Sequence, residues 1–287
     1  MSLHNGSSEE ETDLMMVLWS FSEGMHNSMK GVHAVKHEQD ASYVALLKRC
    51  AQSKDLQRGS SLHADIMRRG LLDKNLHLAN TLISMYAKCG ALELAQTVHS
   101  DILMPDIVSW NALISGYAYQ GQSHEALHCF EEMQREGRLS PNEITFACAL
   151  KACSGVRAID KGKKIHYEIV RRGLLEKKIM LGTALVDMYV KCGMLVKAQQ
   201  VHDEVPLRNV VSWSALIAGY AQEEKGYEAL DCFEHMRNEG LSPNAITFVS
   251  ILKACASIND VEKGKQIHDE IVARGLLKEN VLLGTAL

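Results

Sequence analysis

A histidine followed two residues later by a glutamate occurs three times, and this spacing is half of the zinc-deaminase signature. The three copies are His166 with Glu168, His202 with Glu204, and His268 with Glu270. The other half of that signature is a C-x-x-C pair that completes the zinc site. No two of the eight cysteines have this spacing. The sequence therefore predicts no metal site, no cofactor and no catalytic residue, and we expect a protein that is not an enzyme.

The histidines and cysteines instead recur with the repeats of the chain. His166 and His268 are copies of one position, and Cys50, Cys153 and Cys255 are copies of another. The cysteine position lies on an apolar helical stripe, where a free thiol acts as a small hydrophobic group. We interpret these residues as packing groups.

Small polar residues that suit hydrogen bonding recur in a second pattern. One set, which falls inside predicted helices, is Asn80, Asn111, Thr183 and Ser214. The other set, which directly precedes predicted helices, is Asp106, Asn142, Asn209 and Asn244. The second set has a simple alternative role, since Asn and Asp cap helix N-termini.

Internal repetition determines which elements position these residues. The segment from Ile144 returns from Ile246, and a diverged copy begins at Ala41. Similar segments from Ile107 and Val210 lie between them. Units of about 34 residues are typical of helical-hairpin arrays. We divide the array, which covers residues 40–287, into 40–75, 76–106, 107–142, 143–178, 179–209, 210–244 and 245–280, with a partial unit at 281–287.

Each unit is predicted to form two helices. In the unit from Val210, Trp213, Leu216, Ile217 and Tyr220 make one apolar stripe of a first helix. Gly240 and Pro243 then end the second helix. A lone hairpin cannot bury both of its apolar stripes, so the expected fold is an all-α solenoid of stacked two-helix repeats. Because a new first helix begins before the last residue, we expect the sequence to be a fragment.

The motifs SWNALISGY, EALHCFEEM, MYVKCG and GKKIH, with the ending Gly-Leu-x-Pro-Asn, resemble the plant pentatricopeptide repeat family. The alternating unit lengths resemble its subfamily of long, short and standard repeats, the PLS type. The resemblance implies a right-handed superhelix similar to that of tetratricopeptide proteins. It also implies binding of single-stranded RNA in a mitochondrion or chloroplast, often for C-to-U editing. The sequence contains no deaminase-like domain, so the deaminase is expected to come either from a missing C-terminus or from a separate editing factor in trans.

The geometry of the first helix is consistent with that function. Successive residues lie about 100° apart, so positions 2, 5, 9 and 13 fall within a stripe of about 80°, opposite the apolar side. Position 2 carries Val108, Met180 and Val211, which could stack on bases, whereas the first short repeat has His77. Position 5 carries the first polar set. Five lysines at positions 9 and 13 are either phosphate contacts or a solvated face: Lys48, Lys88, Lys151, Lys191 and Lys253.

By resemblance, position 5 and the last residue of a unit together read one base. Asn80 with Asp106 would read uridine, Asn111 with Asn142 a pyrimidine, and both Thr183 with Asn209 and Ser214 with Asn244 adenine. The implied RNA is x-U-Y-x-A-A-x. The long repeats have apolar residues at position 5 and are expected to add little specificity.

Composition limits the alternatives. The net charge of -4 excludes binding that depends on bulk phosphate neutralisation. No stretch is long and apolar enough for a membrane span. Residues 1–39 match no unit and are predicted to be a largely disordered leader, whose acidity and lack of arginine give no clear transit peptide. A tetratricopeptide-like scaffold that binds a peptide is the alternative function.

Overall fold

The computed structural model describes residues 41–72, 75–176 and 178–276, and these residues form helices with no strand among them. The predicted leader and the partial unit 281–287 lie outside the described residues. The described residues divide into two compact units, one that ends at residue 98 and one that begins at residue 99. The all-α solenoid prediction is confirmed for the described residues.

The first unit contains two helical hairpins. Its helices are α1 (41–53), α2 (Leu56–Arg68), α3 (Leu76–Lys88) and most of α4 (Leu92–Ser100). Helices α2 and α3 pack against each other. The side chains of Leu47, Ile66, Leu82 and Tyr86 are almost fully buried and form part of the core of this unit.

The second unit contains five further hairpins. Its helices are α5 (Ile107–Tyr119), α6 (Ser123–Glu136), α7 (Glu143–Val156), α8 (Ile159–Arg171), α9 (Ile179–Lys191), α10 (Leu195–Glu204), α11 (Val210–Gln222), α12 (Gly226–Asn238), α13 (Ala245–Ser257) and α14 (Val261–Ala273). Each first helix packs against the first helix of the next hairpin, in the order α5, α7, α9, α11 and α13. Equivalent positions of these helices therefore form rows along the stack.

The ends of the helices follow from local sequence. Asn142, Asn209 and Asn244 each accept a hydrogen bond from the backbone N–H of the third residue of the following helix. Such a bond satisfies one of the four N–H groups that a helix leaves unpaired at its start. Gly240 has a φ of 77°, which only glycine adopts without steric cost, and it follows α12 as predicted.

The predicted apolar stripe forms the core. In α11 the side chains of Trp213, Leu216 and Ile217 are buried. Tyr220 is an exception, because it is only partly buried and its hydroxyl donates a hydrogen bond to Gln199 at 3.3 Å. Its equivalent in α5, Tyr117, is buried. The polar Gln199 on α10 gives the Tyr220 hydroxyl a partner near the surface.

The predicted packing cysteines and one of the two histidines are buried. Cys50, Cys153 and Cys255 are almost inaccessible. His166 places Nδ1 2.9 Å from the hydroxyl of Tyr189 on the next first helix. His268, at the equivalent position of α14, is about half exposed. Burial raises the pKa of the Cys153 thiol to about 12, so it stays protonated at neutral pH.

Two other kinds of functional feature are absent from the described ranges. Among residues 41–72, 75–176 and 178–276, no group of three or more His, Cys, Asp or Glu residues is arranged to hold a metal ion. In the same ranges, no helix has the length and apolar character needed to cross a membrane.

Candidate nucleic-acid interface

An exposed row of apolar side chains runs along the first helices of the second unit. At position 2, Val108, Met180 and Val211 are 55%, 46% and 60% exposed. The long repeats continue this row with Ile144 and Ile246, which are 51% and 58% exposed. Our sequence reasoning missed these two isoleucines because it set the long repeats aside for lacking a polar position 5. Their regular position in the repeats is the signal that could have identified them.

In the repeat 107–142, the two predicted base-reading residues contact each other. Asn111 Nδ2 donates to Asn142 Oδ1 at 3.1 Å. The hydroxyl of Thr145 lies 2.6 Å from Asn111 Oδ1 and 3.0 Å from Asn142 Oδ1. Asn142 Oδ1 also accepts from the backbone N–H of Thr145 at 3.1 Å. The two asparagines and Thr145 therefore form one hydrogen-bonded cluster at the start of α7.

A similar pair occurs in the repeat 179–209. Asn209 Nδ2 donates to the hydroxyl oxygen of Thr183 at 3.1 Å, and the Thr183 hydroxyl donates to the carbonyl of Ile179 at 3.0 Å. Asn209 Oδ1 accepts from the backbone N–H of Ser212 at 2.9 Å. Both polar groups of the Asn209 amide thus have partners within the protein.

The third pair, in the repeat 210–244, is linked through a threonine. The hydroxyls of Ser214 and Thr247 are 2.7 Å apart. Asn244 Oδ1 accepts from the backbone N–H of Thr247 at 2.9 Å and from its hydroxyl at 3.0 Å. The direct contact between Ser214 Oγ and Asn244 Oδ1 is longer, at 3.5 Å.

The position 5 side chains are less accessible than we expected. Asn111 and Ser214 are buried, with exposed fractions of 9% and 4%, and Thr183 is partly buried. The last residues of the three units are more open, since Asn142 is exposed and Asn209 and Asn244 are partly buried. The predicted stripe is therefore not uniformly open, because packing of neighbouring first helices covers position 5. The terminal asparagine and the position 2 side chain are the accessible groups in each of these repeats.

Asn80 and Asp106 belong to different compact units. Asn80 is buried in α3 of the first unit. Asp106 caps α5 by accepting from the N–H groups of Val108 and Ser109 at 2.9 and 2.8 Å. Their joint reading of a base remains a prediction.

Two of the five candidate lysines already have partners within the protein. Lys191 forms an ion pair with Asp187 at 2.8 Å. Lys151 places its ammonium 5.0 Å from the ring centroid of Tyr119. The ion pair with Asp187 partly neutralises the charge that Lys191 could offer a phosphate.

The other three lysines are exposed. These are Lys48 and Lys88 in the first unit and Lys253 in the second. Within the part of the chain that the structure describes, none of the three forms an ion pair. Unlike the ammonium of Lys191, their ammonium groups are not neutralised by a carboxylate among the described residues.

Sequence comparison gives the family of this chain. A family model described as "PPR repeat family" matches residues 105–155 and 208–257, and one described as "PPR repeat" matches 78–104, 183–210 and 246–276. The chain belongs to the pentatricopeptide repeat family. Three matched segments of this pentatricopeptide repeat protein begin within two residues of caps described above, at residues 105, 208 and 246.

Relatives from Arabidopsis thaliana carry the same repeats in longer chains. A mitochondrial pentatricopeptide repeat-containing protein is 36% identical over 284 residues, which are 99% of this chain and 26% of the relative. A chloroplastic one is 33% identical over 255 residues, which are 89% of this chain and 40% of the relative. This chain therefore spans less than half of the length of each of these relatives.

Solved structures with a similar fold are other helical-repeat proteins. A tetratricopeptide repeat protein from Parabacteroides merdae aligns with a TM-score of 0.57 at 15% identity, covering 87% of this chain and 99% of that one. The pentatricopeptide repeat protein PPR10, in complex with an 18-nt psaJ RNA element, aligns with a TM-score of 0.47 at 18% identity, covering 76% of this chain and 38% of that one. At such identities, the similarity to the tetratricopeptide protein concerns the fold alone.

Proposed function

We propose that this pentatricopeptide repeat chain binds single-stranded RNA with sequence preference. The observation that carries the proposal is the pairing of two features in each of three repeats. In each repeat, an exposed apolar side chain at position 2 and a polar side chain at position 5 lie on the same first helix. Hydrogen bonds connect the polar side chain to the last residue of the repeat, either directly or through a threonine. Proteins that read single-stranded RNA stack on base faces and hydrogen-bond to base edges.

Each standard or short repeat would read one base. Val108, Met180 and Val211 would pack against base faces, and the terminal asparagine of each repeat would face the base edge. The proposed preference is x-U-Y-x-A-A-x. Pentatricopeptide repeats are a known example of RNA reading at one base per helical repeat, so the proposal extends a known mode to these residues.

The role that we propose is binding, with no chemistry carried out by the residues described above. Family relatives whose names are mitochondrial or chloroplastic support a place in one of these organelles. C-to-U editing is the processing event that we favour, with the deaminase supplied by a separate factor or by a further part of the protein.

Selection from a random RNA pool tests the proposal. The purified chain is expected to enrich U-Y-x-A-A. A matched variant, with Val108, Met180 and Val211 all changed to Asp, should lose binding without unfolding, because these side chains are exposed. A second variant with Tyr167→Asp, Val196→Asp and Tyr227→Asp adds the same charge at exposed second-helix positions and should still bind. Failure of the unchanged chain to retain any RNA at low salt would favour the peptide-binding scaffold.

A further inference from the structure

An exposed tyrosine and a lysine meet at a point of the first-helix face that the base-reading proposal leaves unused. Tyr119 is 73% exposed, although tyrosine rings are commonly at least partly buried. The ammonium of Lys151 lies 5.0 Å from its ring centroid. Tyr119 is residue 13 of the repeat 107–142 and Lys151 is residue 9 of the next repeat. Their helices, α5 and α7, pack side by side.

The position of Tyr119 on α5 places it on the face that carries Val108. Eleven residues separate the two, which corresponds to a rotation of about 20° and a rise of about 16 Å along the helix. Tyr119 therefore lies on the same side of α5 as the stacking row, near the opposite end of the helix. If a single strand of RNA places a base against Val108 and then follows this face of α5, its backbone passes near Tyr119.

The two side chains have hydrogen-bonding capacity that the protein does not use. Within residues 41–72, 75–176 and 178–276, the Tyr119 hydroxyl makes no hydrogen bond and Lys151 forms no ion pair. The cation–π contact restricts the lysine side chain, which otherwise loses considerable rotamer entropy when it binds a ligand. An ammonium held in place beside a free phenol is well suited to an oxygen anion.

We propose that Tyr119 and Lys151 form a clamp for the RNA backbone, in which the Lys151 ammonium pairs with a phosphate and the Tyr119 hydroxyl donates to a phosphate oxygen. The clamp rests on the proposed RNA-binding function. Because it contacts the phosphodiester and no base edge, it contributes affinity without sequence preference.

The chain contains a matched site that lacks the ring. In the repeat 210–244, residue 13 is the exposed Gln222, and residue 9 of the next repeat is the exposed Lys253. The lysine is the same, but it has no aromatic ring beside it among the described residues. Tyr119→Gln therefore converts the first site into a copy of the second, and Gln222→Tyr performs the reverse change.

Titrations of a single-stranded RNA oligonucleotide containing U-Y-x-A-A, measured at several salt concentrations, test the clamp. Tyr119→Gln is expected to weaken binding about 3- to 10-fold, by the same factor for matched and mismatched oligonucleotides. Lys151→Gln should lower the salt slope by about 0.7, the value for one phosphate contact with a single strand. Gln222→Tyr should tighten binding. Tyr119→Phe should weaken binding less than Tyr119→Gln, since it keeps the ring that positions Lys151.

The titrations separate failure of the clamp from failure of the proposed function. If the unchanged chain binds RNA and Tyr119→Gln binds it with the same affinity and salt slope, the clamp is wrong and the proposed function stands. If the unchanged chain binds no RNA, both fail. Circular dichroism and thermal unfolding of each variant check the fold, and an unchanged melting temperature is expected because both side chains are exposed.

Discussion

At the scale of single residues, helix capping and the proposed base reading would use different atoms of the same asparagine. Asn244 Oδ1 accepts a hydrogen bond from the backbone N–H of Thr247, and this bond determines which atom of the amide is the oxygen. Among the described residues, no hydrogen bond from Asn244 Nδ2 is found. Asn142 shows the same division between its two amide atoms. At Asn142 and Asn244 the capping role and the proposed reading role are therefore compatible, which the sequence alone left open. At Asn209 the Nδ2 group already donates to Thr183, so reading a base there would replace that bond.

This division leads to a specificity switch. Adenine presents an acceptor nitrogen to which an amide N–H can donate, whereas guanine presents donors that require an acceptor. We expect Asn244→Asp, beside an unchanged Ser214, to shift the preference at one position from A to G by about 1–3 kcal/mol. Titrations of both proteins with oligonucleotides that differ only in that base measure the shift.

The control for this switch is stability. Asp caps helices about as well as Asn, so the free energy of unfolding should be unchanged. If the variant binds both oligonucleotides more weakly by one common factor, added negative charge explains the loss, and Asn244 does not read the base.

A buried histidine gives the fold a dependence on pH. His202 is 1% exposed, and its ring packs edge-on against Trp213 with centroids 4.1 Å apart. Burial, reinforced by Arg208, lowers the pKa of His202 from 6.5 to about 4, although Asp203 and Glu239 act in the opposite direction. Above pH 6.5 the histidine is neutral in both the folded and the unfolded chain. As the pH falls from 6.5 towards 4, the unfolded chain takes up the proton first, so the folded state loses stability.

We expect this histidine to lower the free energy of unfolding by up to about 3 kcal/mol between pH 7 and pH 4. Urea denaturation at a series of pH values measures the loss. His202→Phe keeps an aromatic ring against Trp213 and should reduce the change in the free energy of unfolding with pH between pH 6.5 and 4. An unchanged slope in that variant would assign the pH dependence to other groups.

At the scale of helices, glycines allow neighbouring repeats to pack closely, because each of two glycines faces a methionine of the next first helix. A Cβ atom built on Gly162 of α8 would lie 2.6 Å from the sulfur of Met188 on α9, and one on Gly59 of α2 would lie 2.5 Å from that of Met85 on α3. Both methionines are fully buried. The short distance shows that a Cβ at this position would have to displace the methionine, so glycine lets the next first helix pack closely.

The equivalent glycine of α14 provides a matched control. Among the described residues, a Cβ on Gly264 would meet only the Cβ of Cys255, at 3.8 Å, which is ordinary contact. Gly264→Ala should therefore stabilise the chain by up to about 1 kcal/mol through helix propensity. Gly162→Ala gains the same propensity but should destabilise by about 1–3 kcal/mol, because Met188 must move within a packed core. Urea denaturation measures both, and equal effects of the two changes would contradict the close packing.

The helices were the most predictable part of this chain. Repetition and apolar spacing identified each helical pair, because a stripe of period 3.6 must be buried in any stack. The spacing could not show how far a side chain is buried between two neighbouring helices. Ser214 and Asn111 lie on the predicted side, yet the next first helix covers them. Tyr220 lies on the apolar side, yet it reaches the polar Gln199. Depth depends on contacts between repeats that no single repeat encodes.

At the scale of the whole chain, the repeat division remains a proposal that the helices support. Each of the seven units 40–75, 76–106, 107–142, 143–178, 179–209, 210–244 and 245–280 contains two helices. The family models begin or end close to several of these boundaries, as at residues 104, 208 and 246. The alternation of unit lengths is a property of the sequence that no single repeat reveals.

Net charge sets the expected response of RNA binding to salt. With a charge of -4, phosphate contacts must come from individual lysines rather than from a basic surface. Each contact with a single strand adds about 0.7 to the slope of log affinity against log salt, so the five candidate lysines give a slope of at most about 3.5.

Lys253 and Lys191 should contribute differently to that slope. Lys253→Gln removes an exposed lysine and should lower the slope by about 0.7. Lys191 is held by Asp187 at 2.8 Å, so Asp187→Asn should release its ammonium, tighten RNA binding and make the slope steeper. RNA titrations between about 50 and 200 mM salt measure both effects. A slope well above about 3.5 in the unchanged chain would mean that basic residues other than these five lysines contact the phosphates. A weaker RNA affinity of the Asp187→Asn variant would show that Lys191 does not contact a phosphate.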